Sequence, residues 1–335
     1  MTLLGIESSC DETGAAIIKI QNNKLKLKSN IVASSSGLHA KTGGIIPETA
    51  AREQIKVVIP VIKEAIEEAK LDFYNPSIDA IAVTYGPGLI GSLLVGVETA
   101  KTLATLWNKP IIPVNHLIGH IYANFIEPQK EIEFPFISLI VSGGHTDLVL
   151  VRKHGDIKWI GGTRDDACGE ALDKIGRMLG LSYPAGAIIE KLSEEGREGK
   201  FKFPRPLISE NNFDFSFSGL KTAVFREIKD KNLSEQEVKD ASLEVQNAVI
   251  SVLVKKTQKA VVKYGVSQVL VGGGVGANQK LREELRKNLG HIGVDLIIPN
   301  KSLCTDNGAM IAAAGCFNQK FKPVQKVTAD PSLYF

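Results

Sequence analysis

One pattern, met twice along this sequence, limits the folds open to it. "LLGIE" (3–7) and "GAAIIKI" (14–20) read as two strands joined by the polar turn "SSCDET", and "FISLIVSGGHTDLVLV" reads as strand, Gly-Gly turn, strand. Strand–helix alternation follows each hairpin. After the first come a helical stripe of Ile55, Val58, Ile59, Ile62 and Ile66, the strand "DAIAVTYGPG", the helix "SLLVGVETAKTLATLW" and the short strand "PIIPV". After the second come a glycine-punctuated helical region, "FDFSFSGLKTAVFREI" and a helix from about 234 to 263. The strand–turn–helix "QVLVGGGVGANQKLREEL", the strand "DLIIP" and a last helix in "DNGAMIAAAGCF" complete the chain. A hairpin followed by alternation, twice over, predicts an α/β fold of two related lobes, and 335 residues suffice for a core in each.

Charge and cysteine usage bound the function loosely. A net charge of +3 permits a nucleic-acid partner without arguing for one. Cys10, Cys168, Cys304 and Cys316 are far apart and form no C-x-x-C, so free cytosolic thiols are expected. "MTLLGIESSCDE" lacks the basic start of a signal peptide, and the longest apolar run, "LIGSLLVGV", is far short of the ~18 residues of a membrane span. The expectation is a soluble, cytoplasmic protein with no membrane partner.

Three strand ends run into small-residue turns: "ESSCDETG", "VSGGHTD" and "VGGGVGAN". Such turns let backbone approach a ligand and aim successive N–H groups at an anion. Any one of them is compatible with ordinary turn chemistry; three at strand ends favour a nucleotide or phosphate. "GGGVGA" (272–277) matches the Rossmann fingerprint, but Asp295 starts the next strand instead of ending it, where a ribose-binding acid belongs.

"PIIPVNHLIGHIYANF" places His116 and His120 four apart, on one face of a helix, where both can chelate one ion. A zinc protease of the H-E-x-x-H type needs a glutamate after the first histidine; Leu117 stands there, so that chemistry is excluded. Spacing alone is equally compatible with two packed or capping histidines. Two imidazoles need a carboxylate to complete a site for Fe(II) or Zn(II). Asp306 in "CTDNGAM" lies between a strand and a helix, where ligands gather in α/β sheets, although a plain helix cap would look the same.

Read together, "GIESSCDETG", "GGIIPETAAREQ", "YGPGLIGSLLVG", "KTLATLWNKPIIPVNHLIGHI", "LIVSGGHTDL", "GEALDKIGRMLGL", "FDFSFSGLKTAV", "GGGVGANQKLR" and "CTDNGAMIA" closely resemble one family nearly end to end. It is the TsaD/Gcp family of tRNA N6-adenosine threonylcarbamoyltransferases, formerly called O-sialoglycoprotein endopeptidases, in its bacterial form. The resemblance implies an acetate kinase/Hsp70/actin-like (ASKHA) fold with a nucleotide cleft between two lobes. An N-terminal lobe is expected over 1–115, with 310–335 packing back on it, and a C-terminal lobe carrying the metal over 116–309. It also implies one divalent ion per subunit, iron(II) ahead of zinc, on His116, His120 and Asp306. Substrate contacts are implied at Ile140, Val141, Ser142, Gly143, Gly144, Asp173, Gly186 and Asn278, and at Glu190, where an aspartate is more usual. "YPAG" (183–186) departs from the family's Tyr-Pro-Gly-Gly at Ala185.

The implied reaction moves a threonylcarbamoyl group from threonylcarbamoyl-AMP to N6 of the adenosine just 3′ of the anticodon, in tRNAs reading codons that begin with A, and releases AMP. The adenine amine is a weak nucleophile, so the carbonyl must be polarised and the leaving phosphate stabilised. Asp11 and Glu12 are the candidates to accept a proton, and Lys221 to meet a phosphate as a point charge; as bare sequence they are also an exposed acidic turn and a solvated lysine. Besides tRNA, the resemblance implies a TsaB-like paralogue, a TsaE-like small ATPase and a separate adenylate-forming enzyme of the TsaC type as partners. A small-molecule kinase and a non-enzymatic nucleotide-binding subunit share the fold pattern, but neither has a use for "NHLIGH" and "CTDNGAM" together.

Overall fold

The structure, a computed structural model, describes residues 1–22 and 24–335. In the first unit, β1 (Thr2–Glu7) and β2 (Glu12–Gln21) form the predicted antiparallel hairpin, with Glu7 opposite Gly14. A third strand outside the predicted hairpin, β3 (Lys24–Ser34), pairs with β2. The chain continues through α1 (Ser36–Thr42), α2 (Pro47–Glu68), β4 (Ala80–Gly86), α3 (Ile90–Leu106), β5 (Ile111–Asn115) and α4 (His116–Tyr122). β4 runs parallel to β1 and β5 parallel to β4, giving the order β3-β2-β1-β4-β5.

The second unit repeats the plan. It contains β6 (Phe136–Val141), β7 (Thr146–Lys153), β8 (Asp156–Gly162), α5 (Cys168–Met178), α6 (Gly186–Ser193) and α7 (Ser218–Ile228). Then follow α8 (Glu235–Tyr264), β9 (Gln268–Gly272), α9 (Gln279–Gly290) and β10 (Asp295–Ile297). Its order, β8-β7-β6-β9-β10, matches the first sheet strand for strand, with two antiparallel and two parallel pairings in the same places. After β10 the chain returns to the first unit as α10 (Gly308–Phe317).

Alternation along β1 decides what covers each face of the first sheet. Leu4 and Ile6, with Ile17, Ile81 and Val83, pack against Val58, Ile62 and Ile66 of α2 and Val97 of α3. Burying each such side chain is worth ~1.5–3 kcal/mol. Leu3 and Gly5 point to the other face, which α10 covers with glycine and alanine. A Cβ on Gly5 would lie 2.1 Å from the carbonyl oxygen of Gly308, and one on Gly315 would lie 2.9 Å from Cβ of Ala82. This close approach fixes where α10 begins, and Asp306 is two residues upstream of it.

Two expectations need correction. On α2 the buried stripe is Gln54, Val58, Val61, Ile62, Ala65 and Ile66; Ile55 (65% exposed) and Ile59 (42%) lie off it. The lobes divide at different points: Met1–Ile132 with Pro299–Phe335 form one compact unit and Glu133–Ile298 the other. His116, His120 and Asp306 therefore belong to the first unit and not to a C-terminal lobe over 116–309. The reason is that α4 continues directly from β5 and packs on α10, which packs on β1 and β2. Among the described residues no helix is long and apolar enough to cross a membrane.

A candidate metal centre

α4 starts at His116 because Asn115 ends β5 and caps it: its Oδ1 accepts from the backbone N–H groups of Leu117 (2.8 Å) and Ile118 (3.3 Å). The capped helix presents both imidazoles on one face, with ring centroids 4.6 Å apart. Asp306 comes from the turn before α10. It is not that helix's cap; Asn307 is, accepting from Met310 N at 3.0 Å. One Asp306 oxygen lies 3.6 Å from His116 Nε2 and 3.2 Å from His120 Nε2, and the three ligand-type atoms fall within 4.8 Å of one another.

His116 is held from behind. Its Nδ1 lies 3.1 Å from Oε2 of Glu7 and 3.1 Å from Oγ of Ser9. These partners hold the Nδ1 side of the ring, so Nε2 is the nitrogen turned to the cluster, and neutral His116 ligates through it with its proton kept on Nδ1. Glu7 is fully buried on β1, and it also accepts from Ser9 N (2.6 Å) and from the Thr84 hydroxyl. Burial pulls the His116 pKa down, but the carboxylates of Asp306 and Glu7 outweigh it and raise it to about 9. His120 is fully buried, and neither of its ring nitrogens has a hydrogen-bond partner. An orphaned imidazole nitrogen facing a carboxylate, beside a second oriented imidazole, fits a divalent first-row cation held by two nitrogens and an oxygen.

Asp11 and Glu12 adjoin this cluster and are not an exposed turn. Asp11 is 8% exposed, and its carboxyl group hydrogen-bonds with the side chains of Glu12 and Cys10. Burial, then the charges of Asp306 and Asp11, push Glu12 up to about 10, so it is protonated at neutral pH. Burial and the same carboxylates keep the Cys10 thiol protonated.

The predicted substrate-binding residues all fall in the second unit. Ile140 and Val141 end β6, and Ser142, Gly143 and Gly144 form the turn into β7. Backbone N–H groups at the start of α5 donate into that turn, Gly169 to Ser142 O (3.3 Å) and Glu170 to Gly143 O (3.1 Å). Asp173 of α5 accepts from Ala185 N at 2.7 Å, one residue before Gly186 opens α6. Glu190 of α6 accepts from Gln279 N (2.6 Å), while Asn278 caps α9 and donates to Gln246 (2.9 Å). Asp173, Gly186, Glu190 and Asn278 are thus tied together around helix starts. Lys221 is not presented as a free cation: its Nζ is 2.6 Å from Asp166, whose other oxygen takes Lys174 at 2.7 Å.

The sequence reading missed Glu7, Ser9 and Thr84. For Glu7 the available signal was a carboxylate closing an apolar strand, which must be paired if buried.

The family model "TsaD: tRNA N6-adenosine threonylcarbamoyltransferase" matches residues 26–313. A protein of that name from Bacillus subtilis is 46% identical over 338 aligned positions, covering 99% of this chain and 95% of that one. One from a Sulfurihydrogenibium species is 49% identical over 317, covering 94% and 90%. Among solved structures, HypF from T. kodakarensis superposes with a TM-score of 0.61 at 15% identity, over 94% of this chain and 47% of its own. Component A of (R)-2-hydroxyglutaryl-CoA dehydratase from Acidaminococcus fermentans gives 0.53 at 15%, over 94% and 96%. At that identity they speak for fold alone: a two-lobed α/β protein of the acetate kinase/Hsp70/actin-like class. The identities across nearly the whole length speak for more, and the chain belongs to the tRNA N6-adenosine threonylcarbamoyltransferase (TsaD) family.

Proposed function

We propose that this protein transfers the threonylcarbamoyl group of threonylcarbamoyl-AMP to N6 of the adenosine 3′-adjacent to the anticodon (position 37) of tRNAs reading codons that begin with A, releasing AMP. The observation that carries the reading, beside family membership, is the convergence of His116, His120 and Asp306, with His120 fully buried and its Nε2 3.2 Å from the Asp306 carboxylate. Those three residues hold one divalent ion, iron(II) ahead of zinc. Bound there, the ion supplies Lewis acidity toward an acyl or phosphate oxygen of the substrate.

The chain's own groups do the rest. In the second unit, the Ser142–Gly144 turn, with Ile140 and Val141 behind it, holds the adenylate, aided by Asp173, Gly186, Glu190 and Asn278. In the first, Asp11 and Glu12, joined by a hydrogen bond between their carboxyl groups, are the pair that receives the N6 proton. Lys221 acts through Asp166, whose orientation it fixes, and not by reaching the phosphate itself. A TsaB-like paralogue, a TsaE-like ATPase and a TsaC-type enzyme that makes the adenylate complete the system.

The test mixes purified protein, partners, threonylcarbamoyl-AMP and unmodified tRNA, and quantifies the modified nucleoside by mass spectrometry after digestion. Product from the parent and little from His116→Ala/His120→Ala is expected. No product from the parent, while a known relative works in the same mixture, refutes the proposal.

A further inference from the structure

Beyond α10 the chain runs back along the first sheet. Lys322 N donates to Ile111 O at the start of β5 (3.1 Å), and Val327 is buried in the core that α2 and α3 share. Residues 330–334 then meet a single cross-strand pair. The register between β4 and β5 slips after Thr84, so Gly86 stands opposite Asn115 and Tyr85 drops out of the pairing as a bulge. The carbonyl oxygen of Tyr85 accepts instead from Asp330 N at 2.7 Å. Across the pair, Asn115 Nδ2 donates to the carbonyl oxygen of Tyr334 at 3.2 Å. Only glycine permits this approach: a Cβ on Gly86 would collide with the carbonyl oxygen of Asp330 and lie 3.0 Å from Cβ of Leu333.

Both contacts adjoin supports of the metal centre. Thr84, just before the bulge, gives its hydroxyl to Glu7, and Glu7 holds Nδ1 of His116. Asn115 directly precedes His116 and caps α4 through Oδ1. Its amide is one rigid plane, so a partner on Nδ2 fixes where Oδ1 sits and thereby how the first turn of α4 aims the imidazole. We propose that residues 330–334 are a positioning clasp for the metal centre, Tyr334 acting through Asn115 and Asp330 through the β4 bulge; the proposal rests on the metal-binding reading above. The clasp sends no side chain to the ion. It works through backbone N–H and C=O groups, which is why no motif in the sequence marks it. Pro331, Ser332 and Tyr334 are exposed, whereas Val327 anchors the segment in the core. The clasp is therefore separable from the fold that carries it.

Cobalt(II) is the probe, because its absorption spectrum reports ligand geometry as well as occupancy. Four chelator-stripped proteins are titrated: the parent, a chain ended after Ser332, Asn115→Ser, and the two changes combined. Asn115→Ser keeps an oxygen to cap α4 and loses the amide that reaches Tyr334. Each single change should weaken cobalt binding on the order of tenfold, the lower end of what outer-shell partners of a metal are worth, and alter the spectrum. The combined change should weaken it no further, because both remove the same contact. If the shortened chain does not fold, Gly86→Ala, whose Cβ dislodges Asp330, takes its place. Parent affinity and spectrum in Asn115→Ser, or losses that add in the combined variant, overturn the clasp and leave the metal centre standing. A parent that binds no cobalt overturns the metal-binding reading itself.

Discussion

Metal binding at His116, His120 and Asp306 should compete with protons in a pH range set by the carboxylates around His116. An imidazolium cannot ligate, and Asp306 and Glu7 raise the His116 pKa to about 9. At pH 7 the chelator-stripped protein therefore carries a proton that the cation must displace. The fraction of ligating His116 there is about 1 in 100, a penalty of about 3 kcal/mol relative to the plateau above pH 9. Apparent affinity should rise close to tenfold per pH unit between pH 6.5 and 9, and more steeply if Glu12, held near 10, loses its proton as well. The same shift acts on the fold with opposite sign. A raised histidine pKa stabilises the stripped protein fully below its unfolded value of about 6.5, and that stability is lost as pH rises through about 9. The assay is zinc titration by calorimetry at pH 7 in two buffers of different ionisation enthalpy, which counts released protons, with chelator competition across the pH range. Release of at least one proton per ion is expected. A pH-independent affinity with no proton release would refute the assignment of His116 as a charged group displaced by the metal.

Other perturbations test the supports of the site. Glu7→Gln keeps the shape but removes the charge that orients Nδ1; plateau zinc affinity above pH 9 should fall by ~10–100-fold, and the steep region should move to lower pH, as chelator competition would show. Gly5→Ala forces a Cβ against the backbone of Gly308, so denaturant unfolding should report a loss of ~1–3 kcal/mol, accompanied by weaker metal binding because α10 carries Asp306 with it. Lys256 of α8 is fully buried and donates to the carbonyl oxygens of Glu210 (3.3 Å) and Asn212 (3.0 Å) and to Asn212 Oδ1 (2.9 Å). Lys256→Met strands those acceptors and should cost at least ~1–3 kcal/mol in the same measurement.

What the sequence disclosed follows from where its information is local. The two hairpins and the helices after them are periodic over short windows, and the pair His116/His120 lies within one turn of helix. β3 was legible and overlooked, since Lys24-Leu25-Lys26-Leu27-Lys28 alternates polar and apolar as a strand does, whereas β8 was not, because Lys158 and Trp159 stand exposed side by side and break the alternation. Asp306 could not be told from a cap until Asn307 was seen to fill that role. The unit boundaries depend on α4 packing against a helix almost two hundred positions later, a contact no local window contains. Glu7 looked like the polar end of a strand, and only burial reveals it as the partner of His116.

The small-residue packing of α10 on β1 has a consequence in time. His116 and His120 leave the ribosome well before Asp306, with the whole second unit synthesised between them. Domains fold largely as they emerge, yet the third ligand arrives only when the chain returns to the first sheet. Until then β1 exposes the glycine-lined face that α10 will occupy, and two imidazoles stand without their carboxylate. A nascent or truncated chain ending before Asp306 thus lacks the cation site, so metal capture marks a chain whose late segment has closed over its earliest strand.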